Sequence, residues 1–86
     1  MTLLHPTHPG ETIGHCLADS AMTATELAAG LAMSRSSLYR LIRGELSVTA
    51  PVALALERQG WSNAEFWLRL QNQFDLAREC RRQTAA

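Results

Sequence analysis

The chain has 86 residues and a formal net charge of zero, with 47% hydrophobic and 19% charged residues. This length is enough for one small domain with one core, and the composition excludes a mainly disordered chain. A neutral chain also cannot be coated uniformly with positive charge for nucleic-acid binding. No apolar run reaches the roughly 18 residues that a membrane-spanning helix needs, so we predict no membrane segment.

The N-terminal residues and the two cysteines indicate the cellular compartment. The first residues lack a basic start followed by a sustained apolar stretch, so they do not indicate a secretory signal peptide, and we expect a cytoplasmic protein. Cys16 and Cys80 lie far apart without paired spacing. This spacing favours two reduced thiols over a disulfide framework.

The zero net charge conceals an uneven distribution along the chain. Residues 1–33 carry three acidic and no basic residues, and residues 34–44 carry three arginines and no acid. From residue 45 onward, five arginines balance five acids. Positive charge is therefore concentrated in one short element, where it suits docking to phosphate better than folding.

Signals for two helices come first along the chain. Pro9 suits the first position of a helix, so His8 is expected to cap a first helix that runs to about Ser20. Thr23 and Glu26 have the spacing of a capping box and start a short second helix. Its apolar stripe is Leu27, Ala28 and Leu31.

A third helix is predicted between Ser34, as its cap, and Gly44, which stops it. Its buried stripe is Leu38, Leu41 and Ile42, and the opposite face carries Ser36, Tyr39, Arg40 and Arg43.

Two further helices complete the chain. Thr49 caps the fourth, which has Pro51 in its first turn and ends at Gly60. Ser62 with Glu65 has the capping-box spacing and opens the last and longest helix. The main stripe of that helix is Phe66, Trp67, Leu70, Phe74 and Ala77. We expect the tail at 81–86 to fray, so residues 1–86 form one domain with an ordered core at about 8–79.

The second and third predicted helices have the spacing of a helix-turn-helix motif, in which the second helix enters the major groove. Arginine can contact guanine O6 and N7 through two hydrogen bonds, and serine or tyrosine hydroxyls can contact phosphates or base edges. A stripe of arginines on its own is more often a solvated helix face. The preceding short helix makes the DNA-binding interpretation the stronger one.

The stretch TATELAAGLAMSRSSLYRLIRGELSVTAPVALALE resembles the Xre/Cro helix-turn-helix family. HPGE at 8–11 and EFWLRLQNQFDL at 65–76 are more specific and resemble the HigA/VapI subgroup, the antitoxins of higBA-type operons. The resemblance implies an all-α, five-helix, lambda-repressor-like domain without a cofactor. It also implies a homodimer that represses its own operon at a palindromic operator and binds a HigB-like, mRNA-cleaving toxin.

The predicted functional residues fall into two groups. The DNA-binding candidates are Thr23, Thr25, Ser34, Arg35, Ser36, Ser37, Tyr39, Arg40, Arg43 and Ser47. The dimer-interface candidates are Trp61, Phe66, Trp67, Leu68, Leu70 and Phe74, with Leu76, which lies off the main stripe of the last helix, as a further candidate.

Four positions depart from the family pattern. Ala32 stands where the turn normally has glycine, so the turn must avoid a left-handed conformation or accept strain. Ala24 replaces a phosphate-binding glutamine found in many relatives, for which Thr23 or Thr25 can substitute. Glu45 and Leu46 follow the third helix where a basic residue often contacts the DNA backbone.

Other interpretations are weaker. His5, His8, His15 and Cys16 lack the ligand spacing of a metal site, so no metal is expected. No serine or cysteine has a histidine base nearby in sequence, so we do not predict an enzyme. Two alternatives to an antitoxin stay open: a stand-alone Xre-type regulator, and a protein-interaction module that does not read DNA.

Overall fold

A computed structural model describes residues 6–85, and these residues form five α-helices and no strand. The helices are α1 (Pro9–Asp19), α2 (Ala24–Gly30), α3 (Arg35–Ile42), α4 (Ala50–Arg58) and α5 (Ala64–Ala85). This confirms the predicted all-α, five-helix fold. Within 6–85, no helix is both long and apolar enough to cross a membrane.

The first three helices begin where the sequence predicts. Nδ1 of His8 accepts a hydrogen bond of 2.8 Å from the Gly10 amide. Both bonds of the Thr23–Glu26 capping box are present, at 3.1 Å and 2.8 Å. These side chains replace partners that the first amides of a helix lack, so local sequence sets the starts of α1 and α2.

The start of α5 differs from the prediction. The Ser62–Glu65 capping box is wrong, because α5 begins at Ala64 and Oδ1 of Asn63 accepts a 2.8 Å bond from the Phe66 amide. Ser62 has φ of +63° and so lacks the extended backbone that an N-cap needs. Similarly, Thr49 occupies the cap position of α4 but makes no side-chain capping bond.

The end of α5 extends further than the ordered core expected from sequence. The helix continues to Ala85, with every described side chain from Arg81 onward exposed. The fraying of this tail stays a prediction.

One hydrophobic core joins the five helices, and it contains the apolar stripes predicted for α2 and α3. The fully buried side chains with the largest volumes are Trp67, Ile13, Leu27, Leu38, Leu41, Leu56 and Pro9. Helix α3 packs against α1 and α2, while α5 packs against α4 and α1. The inner face of α3 is thus fixed by α1 and α2, which leaves its outer face available.

Gln71 is a buried polar residue that the sequence patterns missed. Its Oε1 accepts a 2.7 Å hydrogen bond from the Val48 amide, and its Nε2 donates to Asp75 at 2.9 Å. Val48 lies in the loop that follows α3, so this side chain fastens the loop to α5. A buried amide without a partner is costly, which explains a polar side chain in an otherwise apolar core.

We therefore expect Gln71→Ala to lower the free energy of unfolding by about 2 kcal/mol, because it leaves the Val48 amide buried and unpaired. Urea denaturation measures this loss. Asn72→Ala is the matched control, since Asn72 is the exposed neighbour on the same helix and its truncation should change stability by less than about 0.5 kcal/mol. Equal stability of the two variants would contradict this role for Gln71.

The turn between α2 and α3 takes the strained option foreseen for Ala32. Its φ is +57°, in the left-handed region, and the following Met33 amide donates to the Ala28 carbonyl at 2.9 Å. A Cβ in this region collides with the backbone, whereas glycine avoids the collision.

Ala32→Gly should therefore raise the free energy of unfolding, by about 0.5 to 1 kcal/mol after the extra chain entropy of glycine is subtracted. Ala29→Gly, at an exposed position inside α2, should lower it by about 1 kcal/mol. Opposite shifts of the two thermal midpoints are the expected result. A midpoint for Ala32→Gly at or below that of the wild type would disprove strain at this turn.

Candidate nucleic-acid interface

Helices α2 and α3 are joined by only four residues, 31–34, and share one buried side. Leu27 and Ala28 from α2 pack in the same core as Leu38 and Leu41 from α3. Ridges of side chains packed in this way hold two short helices in a fixed relation. The pair forms the helix-turn-helix expected from sequence, with α3 as the helix that is presented outward.

The outward face of α3 carries the residues predicted to contact DNA. Arg35, Ser36, Tyr39, Arg40 and Arg43 are all exposed, and the Tyr39 side chain is 41% exposed although aromatic. An exposed tyrosine among arginines combines stacking and hydrogen-bonding capacity with positive charge. The structure brings these five residues onto one accessible surface.

The start of α3 adds hydroxyl and amide groups to this surface. The Ser34 hydroxyl accepts a 3.0 Å bond from the Ser37 amide and donates to the Ser37 hydroxyl at 3.1 Å. Ser34 therefore caps the helix, and the partly buried Ser37 supports the cap. The positive end of the helix dipole near these residues favours a phosphate group.

The remaining predicted contacts flank α3 in sequence. Thr25 and Ser47 are exposed, and within residues 6–85 no hydrogen bond occupies either hydroxyl. The Thr23 hydroxyl is occupied by the Glu26 amide. Of the two residues expected to replace a phosphate-binding glutamine, Thr25 is thus the freer.

Glu45 is a member of this surface whose role sequence reasoning missed. Its Oε2 accepts a 2.9 Å hydrogen bond from Nε of Arg43, and its Oε1 lies 3.5 Å from Nε of Arg40. The bond from Arg43 is the largest influence that lowers the pKa of the Glu45 carboxyl, so this group is ionised at neutral pH. One carboxylate therefore bridges two of the arginines predicted to read DNA.

Comparisons with known proteins identify the family. The chain is 35% identical over 74 residues to virulence-associated protein A' of Dichelobacter nodosus, matching 85% of this chain and 64% of that protein. This chain thus spans less than two thirds of that relative. No family model matches the chain. A solved addiction module antidote protein of the HigA family from Coxiella burnetii is 32% identical, with a TM-score of 0.83 over 94% of this chain and 89% of that one.

The chain belongs to the HigA family. The resemblance inferred from the HPGE and EFWLRLQNQFDL motifs is thereby confirmed. The Pseudomonas aeruginosa antitoxin HigA, solved with the higBA promoter, is 29% identical with a TM-score of 0.78. That similarity covers 87% of this chain and 83% of the other.

In this HigA-family protein, the HPGE motif supports the C-terminal end of α3. The His8 ring makes an edge contact with Phe74, with ring centroids 4.7 Å apart. Gly44 follows the end of α3 with φ of +82°. A Cβ at Gly44 would lie 3.6 Å from the same ring. One histidine therefore links the start of α1, the end of α3 and the middle of α5.

Burial is the main cause of a lowered pKa for His8, with Arg78 acting in the same direction and Asp75 and a backbone bond to Leu46 opposing it. The lowered pKa means that the unfolded chain takes up this proton first as the pH falls below about 6.5. Protonation also turns Nδ1 from an acceptor into a donor and so removes the capping bond to Gly10.

We expect the free energy of unfolding to be highest above about pH 6.5. It should decrease as the pH falls from there toward the lowered pKa of His8 in the folded protein. His8→Asn keeps an N-capping acceptor but does not titrate, so it should have a flatter stability profile between about pH 7.5 and 5.5. Urea denaturation across this range compares the two. Identical slopes would rule out His8 as a source of the pH dependence.

The predicted dimer residues lie on or beside α5. Trp67 is 1% exposed, and its indole nitrogen donates to the Trp61 carbonyl at 2.6 Å, so the burial of its side chain is explained within one chain. The others are partly buried, and Leu76 is 58% exposed. The partly buried ones are Trp61, Phe66, Leu68, Leu70 and Phe74. Their place in a dimer interface stays a prediction.

Two of the residues that lack metal-ligand spacing, His8 and His15, make other contacts in the structure. His5 lies outside the described residues, His8 caps α1, and His15 lies 3.9 Å from the Glu11 carboxylate. Among residues 6–85, no three histidine, cysteine, aspartate or glutamate side chains are grouped as metal ligands.

Proposed function

We propose that this protein is a sequence-specific DNA-binding repressor and the antitoxin of a higBA-type toxin–antitoxin module. The observation that carries the proposal is the exposed face of α3, where three arginines, one tyrosine and one serine share a surface held rigidly by the core. Three arginines against the single acid Glu45 leave this element positively charged in a neutral chain. Positive charge presented on such a helix suits entry into the major groove.

The proposed binding unit is a homodimer with two-fold symmetry. Two copies of α3 would then enter major grooves about one helical turn apart, and the operator would be palindromic. The P. aeruginosa HigA solved with the higBA promoter supports promoter DNA as the target. Repression of its own operon follows if the operator overlaps the promoter.

The second partner in this proposal is a small HigB-like toxin that cleaves mRNA. Membership in a family that contains an addiction module antidote supports this assignment. The protein would act by binding and not as an enzyme, because both of its proposed functions, at the operator and on the toxin, are binding functions. Both proposed targets, operator DNA and an mRNA-cleaving toxin, support a cytoplasmic location for this protein.

The experiment that tests DNA binding compares the DNA upstream of the protein's own gene with a scrambled duplex of equal length. Fluorescence anisotropy at several salt concentrations should show tighter binding to the upstream DNA. A plot of the logarithm of affinity against the logarithm of salt concentration should have a slope of about −0.9 for each phosphate neutralised. Equal affinity for both duplexes would reject sequence-specific repression.

The toxin assignment is tested separately by co-expression with the neighbouring gene. Co-purification of a stoichiometric complex and relief of the growth arrest caused by the neighbour are the expected results. A regulator without a toxin is favoured instead if DNA binding is specific and the neighbour neither arrests growth nor co-purifies.

A second candidate is a protein-interaction module that no longer reads DNA. Ala24, in place of a phosphate-binding glutamine, and Glu45, between two of the arginines, motivate it. Co-purification with the neighbour's product in the absence of any DNA binding at low salt would favour this candidate.

A further inference from the structure

The turn that ends α3 places Glu45 over the last turn of the helix. Gly44 has φ of +82°, and its amide donates to the Leu41 carbonyl at 3.0 Å. The Glu45 amide then donates to the Arg40 carbonyl at 2.8 Å. Bonds of this kind satisfy the last carbonyls of a helix and fold the following residue back against it. The backbone therefore holds Glu45 beside the arginines.

The two carboxylate oxygens of Glu45 face different arginines. Oε2 accepts from Nε of Arg43 at 2.9 Å, and Oε1 lies 3.5 Å from Nε of Arg40. Both contacts use the inner Nε edge of the guanidinium group. Within residues 6–85 no hydrogen bond occupies the η nitrogens of Arg40 or Arg43, and a pair of η nitrogens can donate two hydrogen bonds to a guanine.

This bridge is not explained by a contribution to folding. The three side chains are each about half exposed, at 51%, 57% and 49%. Exposed ion pairs contribute little to the stability of a protein because water and salt screen them. Next to DNA the same carboxylate has a larger effect, since it repels phosphates and competes with them for the two arginines.

We propose that Glu45 is a specificity-determining residue of the DNA-reading surface. It holds Arg40 and Arg43 by their inner edges, disfavours their contact with phosphates on any sequence, and leaves their outer edges for guanines of the operator. On unrelated DNA, where arginines contact phosphates, repulsion between Glu45 and the phosphates lowers the affinity fully. On the operator the affinity falls less, because the arginines point into the groove while still paired with Glu45. This inference rests on the proposed function.

The test uses Glu45→Gln in the full chain, which keeps the shape of the side chain and removes its charge. Glu65→Gln is the matched control, because it removes the same charge from an exposed position on α5. Affinities for operator and scrambled duplexes are measured across a salt series. For Glu45→Gln we expect scrambled DNA to bind about fivefold to tenfold more tightly, a salt slope steeper by about one, and a much smaller gain on the operator.

The specificity ratio should therefore fall several-fold for Glu45→Gln and stay unchanged for Glu65→Gln. Equal gains on both duplexes, or equal effects of the two variants, would overturn the role of Glu45 while leaving the proposed repressor function intact. If the wild type shows no preference for the operator, the proposed function fails, and the inference fails with it.

A measurement on the free protein separates these cases further. In NMR spectra, Hε of Arg43 in the wild type should exchange slowly with water and be shifted downfield by the carboxylate. Glu45→Gln should abolish both signatures, whereas Glu65→Gln should preserve them. If Hε of Arg43 still exchanges slowly in Glu45→Gln, Glu45 does not hold Arg43. That result would overturn the inference independently of any DNA.

Discussion

Replacing Arg40 and Arg43 together with alanine is expected to reduce operator affinity by about 10²-fold to 10⁴-fold. Each arginine that contacts a guanine through two hydrogen bonds contributes about 1 to 3 kcal/mol of base discrimination. Both side chains are exposed, so the double variant should fold with a stability close to that of the wild type. The loss would then report contact with DNA and not damage to the core.

The measurement is anisotropy titration of operator and scrambled duplexes, accompanied by urea denaturation of each variant. Arg58→Ala with Arg69→Ala is the matched control, because it removes two exposed arginines from α4 and α5. We expect that control to weaken both duplexes slightly and equally. Unchanged operator affinity in the Arg40 and Arg43 variant would refute α3 as the helix that reads DNA.

Gly10→Ala should lower the free energy of unfolding by about 3 kcal/mol, near the upper end for overpacked sites. A Cβ at Gly10 would lie 1.9 Å from the Leu41 carbonyl oxygen and 2.9 Å from its carbon. These are backbone atoms of α3, so no side-chain rotation relieves the collision, and α1 must move away from the DNA-reading helix. The HPGE motif thus requires glycine for the close approach of two helices.

Gly14→Ala provides the control in the same helix. Its Cβ would lie 3.1 Å from Cγ2 of Ile42, a branch methyl of a partly buried side chain, so Ile42 must give way by a few tenths of an ångström. Alanine also gains about 1 kcal/mol over glycine inside a helix, so this variant should be close to neutral. Urea denaturation should therefore separate the two variants widely. Similar midpoints for both would contradict backbone crowding at Gly10.

Local signals in the sequence determined most of the secondary structure. The Thr23–Glu26 box and the Ser34 cap each work within one helical turn, and Gly44 takes the left-handed conformation that ends α3. The outward face of α3 also followed from spacing, because a buried stripe at helical period leaves the opposite side exposed.

The start of α5 shows where local signals fail. Ser62 and Asn63 are adjacent and both are good capping residues, so the pattern alone did not distinguish them. The backbone after Gly60 decided the matter, because it leaves Ser62 at φ of +63° and Asn63 next to the helix. Glu57 contributes from α4 by accepting a 2.8 Å bond from the Ala64 amide.

The sequence by itself determined five helices, a shared core and a three-arginine surface in a neutral chain, because these depend on composition, period and spacing along the chain. Tertiary structure alone decided that Gly10 touches the Leu41 backbone, that Gln71 holds the loop at Val48, and that Glu45 bridges Arg40 and Arg43. The first two join residues more than twenty positions apart. The third depends on how one turn folds back, which charge counting along a sequence does not register.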